Sequence, residues 1–177
     1  MSMINEAHKF FLEIRKDPNY SNYIMICSDL LRKQLYQYTK ENMTIDRKQL
    51  IYLQWILDAS ESDFYVVTPS QGVFQLISKE IKSAVSFLYC TTLTQATKRI
   101  LKTYNELIEI IELHSIEKGH GSRIVNKLIN LSKEVQLPLA LYAETEELVK
   151  YYEQFNFNNH GRLGENKEFL MLRIPEN

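Results

Sequence analysis

Cysteine, glycine and proline are all scarce in this chain. Two cysteines occur in 177 residues, Cys27 and Cys90, far apart and each among apolar neighbours. That argues against a disulfide framework and for two buried thiols in a reducing compartment. Five glycines and four prolines leave no linker rich in either residue and no low-complexity tract. An excess of one charge is missing too: 21 Lys and Arg stand against 22 Asp and Glu, a net of -1. No global field therefore draws the protein to nucleic acid or to anionic lipid, and a small-molecule or protein partner is expected. No stretch approaches the roughly 18 apolar residues of a membrane span. The start MSMINEAHKFFLEIRKD lacks the apolar run of a signal peptide, so a cytoplasmic protein is expected. The four histidines show no metal-ligand spacing, and no histidine stands near either cysteine in the pattern of a thiol enzyme.

What is present is enough apolar residue to bury a core: 45% hydrophobic against 24% charged, which excludes disorder. Residues 1–60 read as helix, because apolar side chains return every three or four positions. Ala7, Phe10, Phe11 and Ile14 mark one helix, and Tyr23, Ile24, Cys27, Leu30, Leu31 and Leu35 a second, with Pro18 and Asn19 between them. A third starts at Asn42 to Asp46 with Thr44 as its cap. From Asp63 the texture turns β-branched and aromatic. FYVVT, a turn from Pro69 to Gly72, and VFQLIS form a hairpin. The run AVSFLYCTTL suits a further strand, and TQATKRILKTY behind it suits either a helix or a long loop. Its Lys98, Arg99 and Lys102 read as a solvated face. ELIEIIELH, apolar on both faces, suits an interior strand. The turn Ser115 to Ser122, a helix through Ile124, Val125, Leu128, Ile129 and Leu131, and the strand LPLALYA then compose a β-turn-α-β unit whose strands lie parallel. The helix TEELVKYYEQF and a closing strand pair around Asn158 to Pro175 complete one α/β domain with a mixed sheet from 63 to 177.

Chemistry concentrates in EKGHGSRIVNKL, where two glycines stand one residue apart as strand becomes helix. Gly119 and Gly121 let the backbone approach a ligand, and the free N–H groups of the helix's first turn favour an anion. Alone, such a pair also marks an ordinary tight turn. The third glycine and following acid of a dinucleotide site are missing, as is the GKS/T of a P-loop. Glu112 and His114 share one face of the entering strand, since side chains alternate with period two. Either can take an amine proton, and His114 has the more suitable ordinary pKa. The bland alternatives are a surface histidine at a strand end and glutamates paired with lysines.

The turn resembles the acetyl-CoA turn of the GNAT superfamily of N-acetyltransferases: Arg or Gln, two residues, Gly, any residue, then Gly or Ala. Ile116 stands at the Arg or Gln position, with Lys118 as an alternative charge. The segment LVKYYEQFNF is similar to the family's later helix. Tyr152 lies five residues before Phe157 as the family's tyrosine does, Asn156 replaces a glycine, and Thr145 replaces a frequent Asn. The resemblance implies a mixed sheet opened beside the first parallel strand, with early helices, and an acetyl-CoA cosubstrate. It implies cofactor contacts from Leu113, His114, Lys118, Gly119, His120, Gly121, Ser122, Arg123 and Tyr152, and Tyr152 as the acid for the thiolate. The partner is then an amine of a small molecule, peptide or protein, with Glu41, Asp46, Asp58, Glu61 and Asp63 as acidic candidates by sign alone. Two copies can pair through the edges of the final strands. A non-catalytic interaction module on this fold, with Tyr36 and Tyr38 on a partner surface, and an unrelated α/β protein remain alternatives.

Overall fold

The computed structural model describes residues 12–176, Ile14 and Met43 excepted. The expected helix through Ala7, Phe10, Phe11 and Ile14 lies outside the described residues, although Leu12, Glu13, Arg15 and Lys16 are helical. Helix α1 (Pro18–Glu41) includes both residues of the expected Pro18–Asn19 break. The Asp17 side chain accepts from the Asn19 N–H at 2.9 Å, and Pro18 sits in the first turn. Proline suits that turn because its missing N–H would have had no helical partner. Helix α2 (Arg47–Ser62) is capped by Asp46, which accepts from the Lys48 N–H at 2.9 Å, and Thr44 lies in the turn before it. A carboxylate at the helix's positive end outcompetes the threonine.

The chain forms two compact units, one built from the chain up to Ser86 with Glu112–Ile124, the other from Phe87–Ile111 and the chain from Val125 onward. In the first, β1 (Phe64–Ser70) and β2 (Val73–Ser78) pair antiparallel around Gln71 and Gly72, whose φ of 78° suits glycine. Pro69 and Ser70 belong to the strand rather than to the turn, and the register shifts between Val67 and Ser70, where proline has no N–H to give. Helix α1 supplies an acceptor to β1: the Val66 N–H donates to the buried Ser28 Oγ at 2.9 Å. An apolar cluster of Ile24, Ile77, Ile81 and Ala84 closes this unit, with Tyr20, Tyr65, Val67 and Ile116 packed on it.

Strand β3 (Ser83–Cys90) precedes α3 (Gln95–Leu101), so the basic segment is a helix. Thr94 caps it by accepting from the Thr97 N–H, and Lys98, Arg99 and Lys102 are exposed. Strand β4 (Leu107–Ser115) is an interior strand in its first half only: Leu107, Ile108 and Ile110 are buried, whereas Ile111 is 45% exposed. In the second unit β4 pairs parallel with β5 (Leu139–Ala143) from Ile108↔Leu139 to Ile110↔Leu141. Helix α4 (His120–Val135) joins them, burying Ile124, Val125, Leu128, Ile129 and Leu131 on one stripe. Helix α5 (Glu146–Glu153) leads to β6 (Asn158–Arg162) and β7 (Phe169–Arg173), and β7 pairs antiparallel with both β5 and β6. Leu93, Leu101, Leu107, Ala140, Leu170 and Leu172 form this unit's cluster.

The seven strands follow the order β1-β2-β3-β4-β5-β7-β6, a mixed sheet with β4 and β5 parallel. The fold is the mixed α/β sheet that the sequence implies.

Candidate functional site

The exit from β4 carries the site. Gly119 has φ +91°, and a Cβ there would meet nothing within 4 Å, so the residue serves the backbone path and leaves open space beside it. Gly121 is buried within the first turn of α4 and has no left-handed φ. The Arg123 N–H donates to the Gly119 carbonyl at 3.1 Å, which closes the first helical turn.

The charges around this turn are paired with one another. The Glu117 carboxylate lies 3.0 Å from Lys82 Nζ and 3.4 Å from His120 Nε2, and Arg123 lies 3.7 Å from Asp63. The hydrogen bond from Lys82 holds Glu117 below the usual carboxylate range, with the charges of Lys82, His120 and Arg15 adding to it. Lys118 is exposed and Ser122 half-buried. Ile116, where the GNAT pattern carries Arg or Gln, packs into the apolar cluster below α1, while its N–H donates to the Lys82 carbonyl at 3.0 Å.

Glu112 and His114 do share a face: His114 Nε2 is 3.6 Å from Glu112 Oε2. Leu113 and His114 are half-buried. Among the described residues the partners of the β4 glutamates are not lysines: Glu112 faces His114, and Glu109 accepts from the Cys90 thiol at 3.6 Å. Burial, then Glu109, pushes that thiol up to about 12. Neither cysteine is fully buried as expected; both are half-buried and free.

Tyr152 lies on α5 in the other unit, 7% exposed, with its ring 5.1 Å from Tyr151 and 5.7 Å from Phe157 in edge-on contact. Burial, and then the neighbouring Tyr151, drives its phenol well above the ordinary tyrosine value, so it stays protonated. The residues substituted around it do their work. Thr145 caps α5 by accepting from the Leu148 N–H at 3.2 Å, and Asn156 takes φ +61° beyond its end. The Phe157 N–H reaches back to the Tyr152 carbonyl at 3.3 Å, the bond that closes a left-handed helix end.

Four of the five acidic candidates for an acceptor pocket have other side-chain partners. Asp46 caps α2, Asp58 accepts from Gln54, Glu41 from Gln37, and Asp63 faces Arg123. The Glu61 carbonyl accepts from Lys79. A cavity of about 490 Å³ in the second unit is bordered instead by Glu109, Tyr142, Glu165 and Glu168. In the first unit, one of about 230 Å³ adjoins His120, Arg123, Asp63 and Lys79, and one of about 460 Å³ separates α1 from the β1–β2 hairpin. Tyr36 and Tyr38 are exposed. Among the described residues no helix is long and apolar enough to cross a membrane, and no group of three or more His, Cys, Asp or Glu is placed to hold a metal.

No family model and no curated protein matches the sequence. Solved structures do match by shape. One is NAA60 of Arabidopsis thaliana in complex with a bisubstrate analogue, at TM-score 0.45 and 12% identity, covering 82% of this chain and 94% of that one. Another is a histone acetyltransferase HPA2 and related acetyltransferase from Corynebacterium glutamicum, at 0.44 and 12%, covering 73% and 75%. A third is the Bacillus subtilis N-acetyltransferase YlbP in complex with coenzyme A, at 0.43 and 11%, covering 81% and 90%. At such scores the functional reading has to rest on this chain's own residues.

Sequence reasoning missed Lys82 and the role of Glu117. Lys82 stands in the turn between β2 and β3, and only strand pairing brings its side chain to Glu117.

Proposed function

We propose that this protein is an acetyl-CoA-dependent N-acetyltransferase of the GNAT type. One observation carries the reading: β4 passes through a left-handed, open-sided turn at Gly119 into the N-terminus of a helix of 16 residues, followed by the parallel strand β5. Such a turn points the positive end of the helix dipole and the first-turn backbone at an anion, here the diphosphate of the cosubstrate. Gly119, His120, Gly121 and Ser122 supply the backbone, and Lys118 and Arg123 the charge. The backbone of Leu113 and His114 meets the pantetheine amides and the acetyl carbonyl.

The amine nitrogen attacks the thioester carbon, the C–S bond breaks, and the CoA thiolate takes a proton from the Tyr152 phenol. The ammonium proton leaves to His114 or Glu112, directly or through water. The acceptor is an amine of a small molecule, peptide or protein, in a reducing cytoplasmic setting. β6, at one end of the strand order, is the edge through which two copies would pair.

A second reading, a non-catalytic module on the same fold, is favoured by the turn's cations being matched to Glu117 and Asp63. Thermal unfolding with and without acetyl-CoA, followed by CoA release over an amine panel, separates the two. The enzyme reading expects a raised midpoint and thiol release, with Tyr152→Phe losing roughly 10²–10⁴-fold in rate while keeping the midpoint shift. No shift at millimolar acetyl-CoA sinks the enzyme reading, and a shift without transfer to any amine leaves the module.

A further inference from the structure

The turn assigned above to the diphosphate already contains an anion of the protein's own. Glu117 lies between the end of β4 and Gly119, and its carboxylate is held at 3.0 Å by Lys82 and 3.4 Å by His120. Arg15 adds a favourable charge, and Glu80, 3.9 Å from Lys82, is the other acid on that lysine. Lys82 is the more enclosed partner, with its side chain 25% exposed against 44% for Glu117. The Lys82 carbonyl is also fixed to the turn by the Ile116 N–H. The ammonium therefore belongs to the turn even though it comes from another part of the chain.

We propose that Glu117 occupies the anion place of the turn in the free protein, and that the diphosphate of acetyl-CoA enters by displacing this carboxylate and taking Lys82 as a ligand. The proposal rests on the acetyl-CoA reading and adds two roles to it. Lys82 supplies the cation that Ile116 does not, and Glu117 sets how readily the cosubstrate binds. Its physical basis is charge competition. A diphosphate beside an intact carboxylate meets like-charge repulsion, and the lysine cannot serve both fully. Phosphate binding through lysine needs no fixed fork geometry, so a flexible ammonium suffices.

Calorimetric titration of acetyl-CoA into wild type, Glu117→Gln and Glu117→Gln/Lys82→Met at low salt tests this, because exposed charges are screened as ionic strength rises. Unfolding midpoints confirm that the variants fold. The expected result is roughly tenfold tighter binding by E117Q than by wild type, with the added K82M returning most of that gain. Binding by E117Q alone supports the proposal in its strongest form. Wild-type binding that E117Q leaves unchanged or weakens overturns the proposal and spares the acetyl-CoA reading. A gain that K82M does not reverse overturns the role of Lys82. No binding by any of the three overturns both.

Discussion

The N-terminal end of α4 and the C-terminal end of α5 each depend on one residue in the left-handed region, Gly119 at φ +91° and Asn156 at φ +61°. Around Gly119 the space is open, the neighbouring side chains are charged, and Lys118 and Arg123 reach into solvent. Around Asn156 the ring of Phe157 is 2% exposed and packs on Tyr152, and Tyr151 meets Phe155 at 5.3 Å. The same backbone requirement thus appears once where nothing fills the space and once where aromatic packing does. A left-handed turn that the core does not need for packing is free to serve a ligand. One seated on a buried aromatic cluster is accounted for by the fold.

The largest test of that contrast is Phe157→Ala. It should cost about 3–5 kcal/mol in denaturant unfolding through the cavity it leaves, whereas Lys118→Ala at the exposed turn should stay within about 0.5 kcal/mol. A small loss at Phe157 would make the α5 end as open as the α4 end. Next come the two left-handed residues themselves. Asn156→Gly should be near neutral and Asn156→Ala should lose about 1 kcal/mol, since alanine resists positive φ. Gly119→Ala should lose a similar amount from backbone strain alone, because its Cβ meets no atom. A much greater loss would mean that the turn is packed after all. Thr145→Ala should remove the cap of α5 and about 1 kcal/mol with it, read from the urea midpoint.

The smallest expected effect is acidic. Glu117 is held below its ordinary value when folded, so its stabilising share is present above the unfolded carboxylate value and is lost as pH falls through the folded one. Unfolding midpoints of wild type should accordingly decline slightly more than those of Glu117→Gln in that acid range. Parallel curves would show that the Lys82 contact contributes nothing in solution.

Much of this was legible in the chain, and the reason differs by element. The amphipathic stripe of α4, the alternation in the hairpin and the Gly-His-Gly turn are local patterns, so periodicity and glycine conformation revealed them directly. Helix starts were placed less well. Thr44 suits a cap and the Pro18–Asn19 pair a break, but Asp46 and Asp17 stand beside them, and the structure uses the carboxylates. Four of the five acids singled out by sign proved to be caps, side-chain partners or ion pairs, and Glu61 takes part through its backbone carbonyl, because sign alone says nothing about which neighbour a carboxylate meets.

By itself the sequence determined most of the helices and strands, since those choices follow from side-chain period and from backbone sterics within a few residues, but it left Gln95–Leu101 open between helix and loop. Tertiary structure alone decided that Ile116 faces an apolar cluster, that Arg123 meets Asp63 and that Lys82 reaches Glu117. These pairings join residues far apart in the chain, and electrostatic energy depends on separation in space, which no local pattern encodes.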